Sequence, residues 1–310
     1  MIRTAMALLP RPVVLSVALI FIGAVLLRAE SSARSSRMVE VANDISLRVI
    51  EAGKAGDGPV LVFIPGWSTD ADIWRQQIDR FAPTYRVIAF DPRSQGESTK
   101  TTSGNTPETR AQDLHSLLER LGVRRPVLIG WSQGVQDVAA YVQRFGTQDL
   151  AGIVLVDAAV SDGADGMTAR PQETAEQFKM FAVYEAHQRE YLGAMMHAII
   201  SKPQTDGVIE QLVSTGMKTP PDIGVAMLIA DMFGVNRTSA IKKIDCPTLI
   251  IASAKSDELP RQQAATNQIS NARFEKVEDA AHSVFLDQPE RFEDLMKNFL
   301  TKLPTNTPRS

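Results

Sequence analysis

Ser132 stands at the centre of Gly130-Trp131-Ser132-Gln133-Gly134, directly after the apolar run 127–129 and directly before a helical pattern over residues 135–145. A serine hydroxyl is a weak nucleophile until its surroundings expose it and a base takes its proton. G-x-S-x-G between a strand and a helix supplies the exposure: the sharp turn holds the serine in a strained backbone conformation, and the flanking glycines let neighbouring backbone pass close by. The helix that begins there also presents unpaired N–H groups to negative charge developing at the serine.

A base is required, and the chain holds four histidines, His115, His187, His197 and His282. His115 falls in an amphipathic helical pattern ahead of the serine and reads as a surface residue. His187 and His197 lie in a long helical stretch, where packing, solvent and substrate contact are all open to them. His282 follows a late strand-like run, 274–277, after a short loop, which brings it to the carboxyl end of a sheet beside Ser132. The third partner is a carboxylate that fixes the imidazole tautomer. Asp257, in the loop after the run 248–252, is the expected acid because it completes the chain order Ser132, Asp257, His282. Asp157, at the end of the run 153–156, is the alternative, since a carboxylate there can reach the same histidine. Two backbone donors for an oxyanion are expected, one from Gln133 and one from Trp67 in Pro65-Gly66-Trp67-Ser68. Trp67 and Trp131 read as walls of a substrate pocket, with core packing as their plainer role.

These residues need a scaffold, and the sequence from residue 41 onward alternates short apolar runs with helical patterns, the signature of an α/β fold with a mostly parallel sheet. Runs 60–64, 87–90, 127–129, 153–156 and 248–252 are compact enough for strands buried on both faces. Ile45, Leu47 and Val49 alternate with polar neighbours as in a half-exposed strand. Residues 53–58 read as a hairpin turn, which makes the first strands antiparallel. Thr106 and Pro107 mark a helix start, followed by Ala111, Leu114, Leu118 and Leu121 at helical spacing. Over residues 161–243 the strand rhythm stops and the pattern is helical, with breaks at Pro171, Pro203 and Pro220-Pro221; this segment reads as an inserted cap. It carries Met167, Met180, Met195, Met196, Met217, Met227 and Met232, which predicts an adaptable apolar lining over the serine. The sheet-and-helix core is then expected over residues 40–160 and 244–303, with a frayed tail over 304–310.

Bulk properties narrow the functional classes. A chain of 310 residues, 44% hydrophobic and 22% charged, can bury a sizeable core. A net charge of -3 without long basic runs argues against nucleic acid as a partner, and the serine and its base call for a small-molecule substrate. The single cysteine, Cys246, excludes an internal disulfide and a thiolate metal cluster. Arg3 and Arg11 precede an apolar run over 13–27, and Ser31-Ser32-Ala33 follows it, which reads as an export signal over residues 1–33 and a periplasmic or secreted mature protein. As a helix, the run reaches about 22 Å, short of a hydrocarbon core of about 30 Å, which favours cleavage; left uncleaved, residues 13–27 would anchor the chain to a membrane.

On these residues the chain resembles the α/β-hydrolase superfamily over residues 40–303. Asp91-Pro92-Arg93-Ser94-Gln95-Gly96-Glu97-Ser98 stands where the family shows D-x-R-G-x-G-x-S, with Ser94 in place of a glycine, and Pro65 stands where a histidine is usual. Serine esterases and metal-free haloperoxidases or perhydrolases are similar to it; epoxide hydrolases and haloalkane dehalogenases fit less well, because they use an aspartate where this chain has Ser132. The resemblance implies an α/β-hydrolase fold with a helical cap, and chemistry that needs neither cofactor nor metal. The reaction it implies is cleavage of a small apolar carboxylic ester or lactone through an acyl-enzyme. Carbon–carbon bond or amide hydrolysis, perhydrolysis, and a hydrolase-like ligand receptor without turnover are the alternatives.

Overall fold

The computed structural model describes residues 34–54, 56, 58–205 and 207–304, so the expected export segment and the last residues of the tail lie outside the described residues. No helix among the described residues is long and apolar enough to cross a membrane. The described strands are β1 (Ser35–Ala42), β2 (Ile45–Ala52), β3 (Leu61–Ile64), β4 (Val87–Phe90), β5 (Val127–Trp131), β6 (Gly152–Val156), β7 (Thr248–Ser253) and β8 (Ala272–Val277). They form one sheet in the order β1-β2-β4-β3-β5-β6-β7-β8. The β1–β2 and β2–β4 pairings are antiparallel, and every pairing from β4 to β8 is parallel.

The parallel strands require crossover helices. Helix α1 (Arg75–Phe81) connects β3 to β4, α2 (Pro107–Arg120) connects β4 to β5, and α3 (Gln133–Phe145) connects β5 to β6. Alternation along the buried strands sorts two cores. Leu61, Phe63, Ile129, Trp131 and Leu249 face Ile78 and Phe81 of α1, with Phe292 and Leu295 of the closing helix, whereas Val62, Ile64, Leu128 and Leu155 face Leu114 and Leu118 of α2 with Val135 and Val138 of α3. Each such side chain contributes roughly 1.5–3 kcal/mol by leaving water.

The antiparallel start differs from expectation. The hairpin turn is Asn43-Asp44, with Ala42 paired to Ile45 and Asp44 at φ 59°, a conformation that aspartate tolerates better than most residues. Residues 53–58 instead lead from β2 to β3, which are not neighbours in the sheet. Strand β1 also begins earlier than the expected core boundary at residue 40. Its first four residues are exposed and held by backbone pairing to β2, so they carry no apolar alternation to read.

Between β6 and β7 the chain forms α4 (Ala164–Ala169), α5 (Pro171–Ala186), α6 (Gln188–Ile199), α7 (Val208–Gly216), α8 (Pro221–Phe233) and α9 (Thr238–Ile241). Pro171 and Pro221 are the first residues of α5 and α8, where a missing N–H costs nothing. The insertion does not keep a core of its own: Tyr184, Leu192, Met196 and Met227 join the sheet face that carries α1. After β7 come α10 (Leu259–Thr266), β8, α11 (Val284–Asp287) and α12 (Pro289–Leu300).

A buried ion network ties the insertion to the core. Arg110 of α2 donates from Nε to Asp137 Oδ1 of α3 at 2.8 Å and from a terminal nitrogen to Asp231 Oδ1 of α8 at 2.5 Å. Burial pushes the Asp137 carboxyl up to about 7 despite the opposing pull of Arg110, and burial raises Asp231 as well. A carboxyl raised in the folded state stabilises the fold when protonated, and that contribution drains away as pH climbs through its folded value. Removing Arg110 raises both carboxyls further and leaves two buried charges uncompensated at high pH. Arg110→Met is therefore expected to lose about 3–5 kcal/mol of stability at pH 8 and clearly less at pH 5.5, read from urea unfolding at both values. An equal loss at the two values would show that these carboxyls do not govern the site.

Candidate active site

The turn at Ser132 has the geometry that its glycines promise. Ser132 sits at φ 56°, ψ -117°, caps α3, and donates its N–H to Val156 O of β6 at 3.1 Å. A Cβ added at Gly130 would stand 2.5 Å from Gly134 O, and one added at Gly134 would stand 2.7 Å from Ile64 O. Neither position has room for any side chain, so both glycines are steric requirements of the turn.

His282 lies in the loop after β8 and reaches the same cavity as Ser132. Its Nδ1 is 2.9 Å from Asp157 Oδ2. An ionised carboxylate only accepts, so this bond places the ring proton on Nδ1 and leaves Nε2 free as the basic nitrogen. Asp157 directly follows β6 at φ 46° and is buried; its other oxygen accepts from Ser253 N at 2.8 Å and from Gln262 Nε2 at 3.4 Å.

The acid expected at Asp257 is thereby corrected: the structure puts Asp157, the alternative, on His282, and leaves the Asp257 side chain exposed. The physical reason lies at the end of β7. The last residue of that strand, Ser253, gives its N–H to Asp157 and its hydroxyl to Ala280 O at 2.8 Å, two residues before His282. The strand end therefore orients both partners, and the loop that follows supplies no carboxylate to the histidine. Asp157 carries one readable signal: it is the first polar residue after a strand buried on both faces.

The remaining expected residues divide. Trp67 and Gln133 both line the cavity with Ser132. A Cβ added at Gly66 would stand 3.2 Å from Ser132 Cβ and 2.8 Å from the Trp131 ring, so the loop backbone passes directly against the nucleophile turn. Gln133 is the first residue of α3, where an N–H has no partner within the helix. Trp67 packs edge-on to Tyr184 and donates from Nε1 to Gly224 O of α8 at 2.9 Å. Trp131, expected as a pocket wall, is instead buried behind His282: its Nε1 donates to His282 O at 3.0 Å, and its ring meets Trp74 and Phe285 edge-on. His115 stacks on Phe145, while His187 and His197 are exposed on the insertion.

Residues to which the sequence assigned no role in the site hold this arrangement. The Gln95 carboxamide accepts from Ser68 N at 3.0 Å and donates to Gly66 O at 3.2 Å and Thr69 O at 3.1 Å, fixing the loop that carries Trp67. Asp91 accepts from Ala71 N at 2.9 Å and Glu97 N at 2.8 Å. Ser94, in place of the usual glycine, takes φ 64°; its hydroxyl donates to Thr101 O at 3.2 Å and accepts from Thr101 N at 3.0 Å. Asp287 accepts from Ala281 N, Ser201 N and Lys202 N, which joins the histidine loop to the insertion. Among the described residues no cluster of His, Cys, Asp and Glu could hold a metal ion.

The cavity over Ser132 and His282 has a volume of about 210 Å³. Its wall is more polar than a methionine-lined cap would make it. Of the seven methionines in residues 161–243, Met232 lines the cavity; Met196 and Met227 are buried in the core, and Met180 and Met217 are exposed. Methionine content said nothing about direction, and α8 turns Leu228, Asp231 and Met232 inward together.

A model described as the alpha/beta hydrolase family matches residues 61–295, most of the chain. The chain belongs to the alpha/beta hydrolase family. A non-heme chloroperoxidase from Kitasatospora aureofaciens is 30% identical over 263 residues, covering 80% of this chain and 94% of the relative. A bifunctional esterase/perhydrolase from Acinetobacter calcoaceticus is 29% identical over 66% of this chain and 76% of its own. A bromoperoxidase from Bacillus anthracis superposes with a TM-score of 0.77 at 22% identity, covering 86% of this chain and 100% of that one, a likeness of fold.

For an alpha/beta hydrolase with this geometry, Asp157→Asn is expected to lower kcat about 10⁴-fold by favouring the wrong imidazole tautomer, while Asp257→Asn stays near wild type. Steady-state kinetics on any accepted ester decide the ranking, and its reversal would return the acid to Asp257. Gln95→Leu is expected to lower kcat by roughly 10- to 100-fold with KM nearly unchanged, because a loosened loop misplaces an oxyanion donor. A change confined to KM would instead place Gln95 in ground-state binding.

Proposed function

We propose that this chain is a serine hydrolase that cleaves a small carboxylic ester or lactone through an acyl-enzyme. The observation that carries the reading is the joint placement of Ser132 and His282 in one cavity, with the far nitrogen of His282 on the buried Asp157. Ser132 Oγ attacks the carbonyl carbon while His282 Nε2 takes its proton. The oxyanion is received by the N–H groups of Trp67 and Gln133. Collapse breaks the ester C–O bond, and the imidazolium returns its proton to the leaving alkoxide. Water then attacks the acyl-enzyme as His282 takes its proton; the acyl C–Oγ bond breaks, the imidazolium returns the proton to Ser132 Oγ, and the carboxylic acid departs.

A second outcome on the same acyl-enzyme is supported by the relatives named chloroperoxidase and esterase/perhydrolase. Hydrogen peroxide in place of water would release a peracid and regenerate Ser132. Both outcomes require the same nucleophile, which distinguishes them from a ligand receptor without turnover.

Ser132→Ala is expected to abolish both p-nitrophenyl ester turnover and fluorophosphonate labelling while keeping the wild-type melting temperature. Labelling that survives in the variant would remove Ser132 from this role. A wild-type protein that neither labels nor turns over would favour the receptor.

A further inference from the structure

The cavity wall contains two polar side chains whose partners are missing from the protein. Gln133 is 5% exposed, lines the cavity, and has neither its amide nitrogen nor its amide oxygen in a hydrogen bond. Asp231 is 4% exposed and also lines the cavity; Oδ1 is held by Arg110 at 2.5 Å, and Oδ2 has no hydrogen-bond partner. A neighbouring residue shows how the fold treats a structural amide here. Gln136 lines the same cavity, yet its nitrogen donates to Ala159 O at 2.9 Å and its oxygen accepts from Ser161 N at 2.9 Å. Leaving a buried polar group unpaired is costly, so groups left unpaired in a substrate cavity point to the substrate.

The cations around the cavity come already paired. Arg170 pairs with Asp162 at 2.8 Å and Glu173 at 3.3 Å, Arg261 pairs with Glu258, and Arg110 pairs with Asp231 and Asp137. An anionic substrate group would therefore find no fixed partner here without breaking a pair. What the wall offers is an acceptor at Asp231 Oδ2 together with a donor and an acceptor on the Gln133 carboxamide.

Resting on the ester-hydrolase reading, we propose that the substrate's acyl part bears a neutral polar group with both a donor and an acceptor, an amide or a hydroxyl. Gln133 and Asp231 recognise this group. The apolar acyl chain expected from the methionine content would leave all three wall groups unpaired in the occupied site. Selection works by that penalty, which an alkyl chain of equal length cannot relieve.

The test compares p-nitrophenyl N-acetylglycinate with p-nitrophenyl pentanoate, whose acyl chains have the same length. Each kcat/KM is normalised to the ester's hydroxide-catalysed rate, and the polar-to-apolar ratio is followed in wild type, Gln133→Met and Asp231→Asn. Methionine keeps the length of glutamine and the backbone N–H at residue 133. Asparagine keeps an oxygen for Arg110 and puts a donor where Oδ2 accepted. The expected result is a ratio above one in wild type that falls at least about tenfold in each variant, with thermal melts confirming the fold. A ratio that does not change in either variant, or equal losses on both esters, overturns the proposal while leaving the ester reading intact. No turnover of either ester together with no phosphonate labelling of Ser132 overturns both.

Discussion

Three strand ends meet at one buried carboxylate. Asp157, the residue after β6, accepts from the last residue of β7 and from the histidine after β8, and that β7 residue reaches the histidine loop through its hydroxyl. This knot sets the imidazole's direction and tautomer before any substrate arrives, which is what preorganisation means in a site of this kind. It depends on the parallel register of β6, β7 and β8: Val156, the last residue of β6, pairs with Ile251 two residues before the end of β7, and the last residues of β7 and β8, Ser253 and Val277, pair with each other. A slip of one residue would turn Asp157 to the opposite face of the sheet.

On the other side of Ser132 the constraint is steric. Gly130, Gly134 and Gly66 let three backbone segments approach more closely than any Cβ permits, and the loop after β3 thereby comes against the nucleophile turn. That loop would lack definition on its own. The segment Asp91 to Ser98 supplies it: Asp91 and Gln95 accept and donate to the backbone of residues 66 to 71. The family-like motif there is thus a support for the loop that carries Trp67.

The insertion is bonded to the core at several independent places. Trp67 holds α8 by a hydrogen bond, Arg110 holds the same helix by an ion pair, and Asp287 joins residues 201 and 202 to the histidine loop. Arg110 links the two functions of α8, since its partner Asp231 also faces the cavity. The polarity of the cavity follows from this packing. A helix anchored through a buried carboxylate must bring that carboxylate, with one oxygen left over, to the wall above Ser132.

The sequence by itself determined most of the elements and singled out the candidate pair. Buried strands announce themselves as apolar runs, prolines mark helix starts, and G-x-S-x-G between strand and helix leaves Ser132 little choice of role. His282 was legible by elimination among four histidines and by its place after the last strand. Only the tertiary structure decided which carboxylate meets that histidine, which tryptophan faces the cavity, and which side chains of the insertion look inward. Asp157 and Asp257 both follow strands that end at the same edge, so spacing along the chain cannot rank them. The choice is made by hydrogen bonds between segments about 100 residues apart, of which the Ser253 to Asp157 bond, 96 residues apart in sequence, is the deciding one. Direction is likewise a property of packing: a methionine count constrains composition, whereas the rotation of α8 fixed by Arg110 and Trp67 decides what the substrate meets.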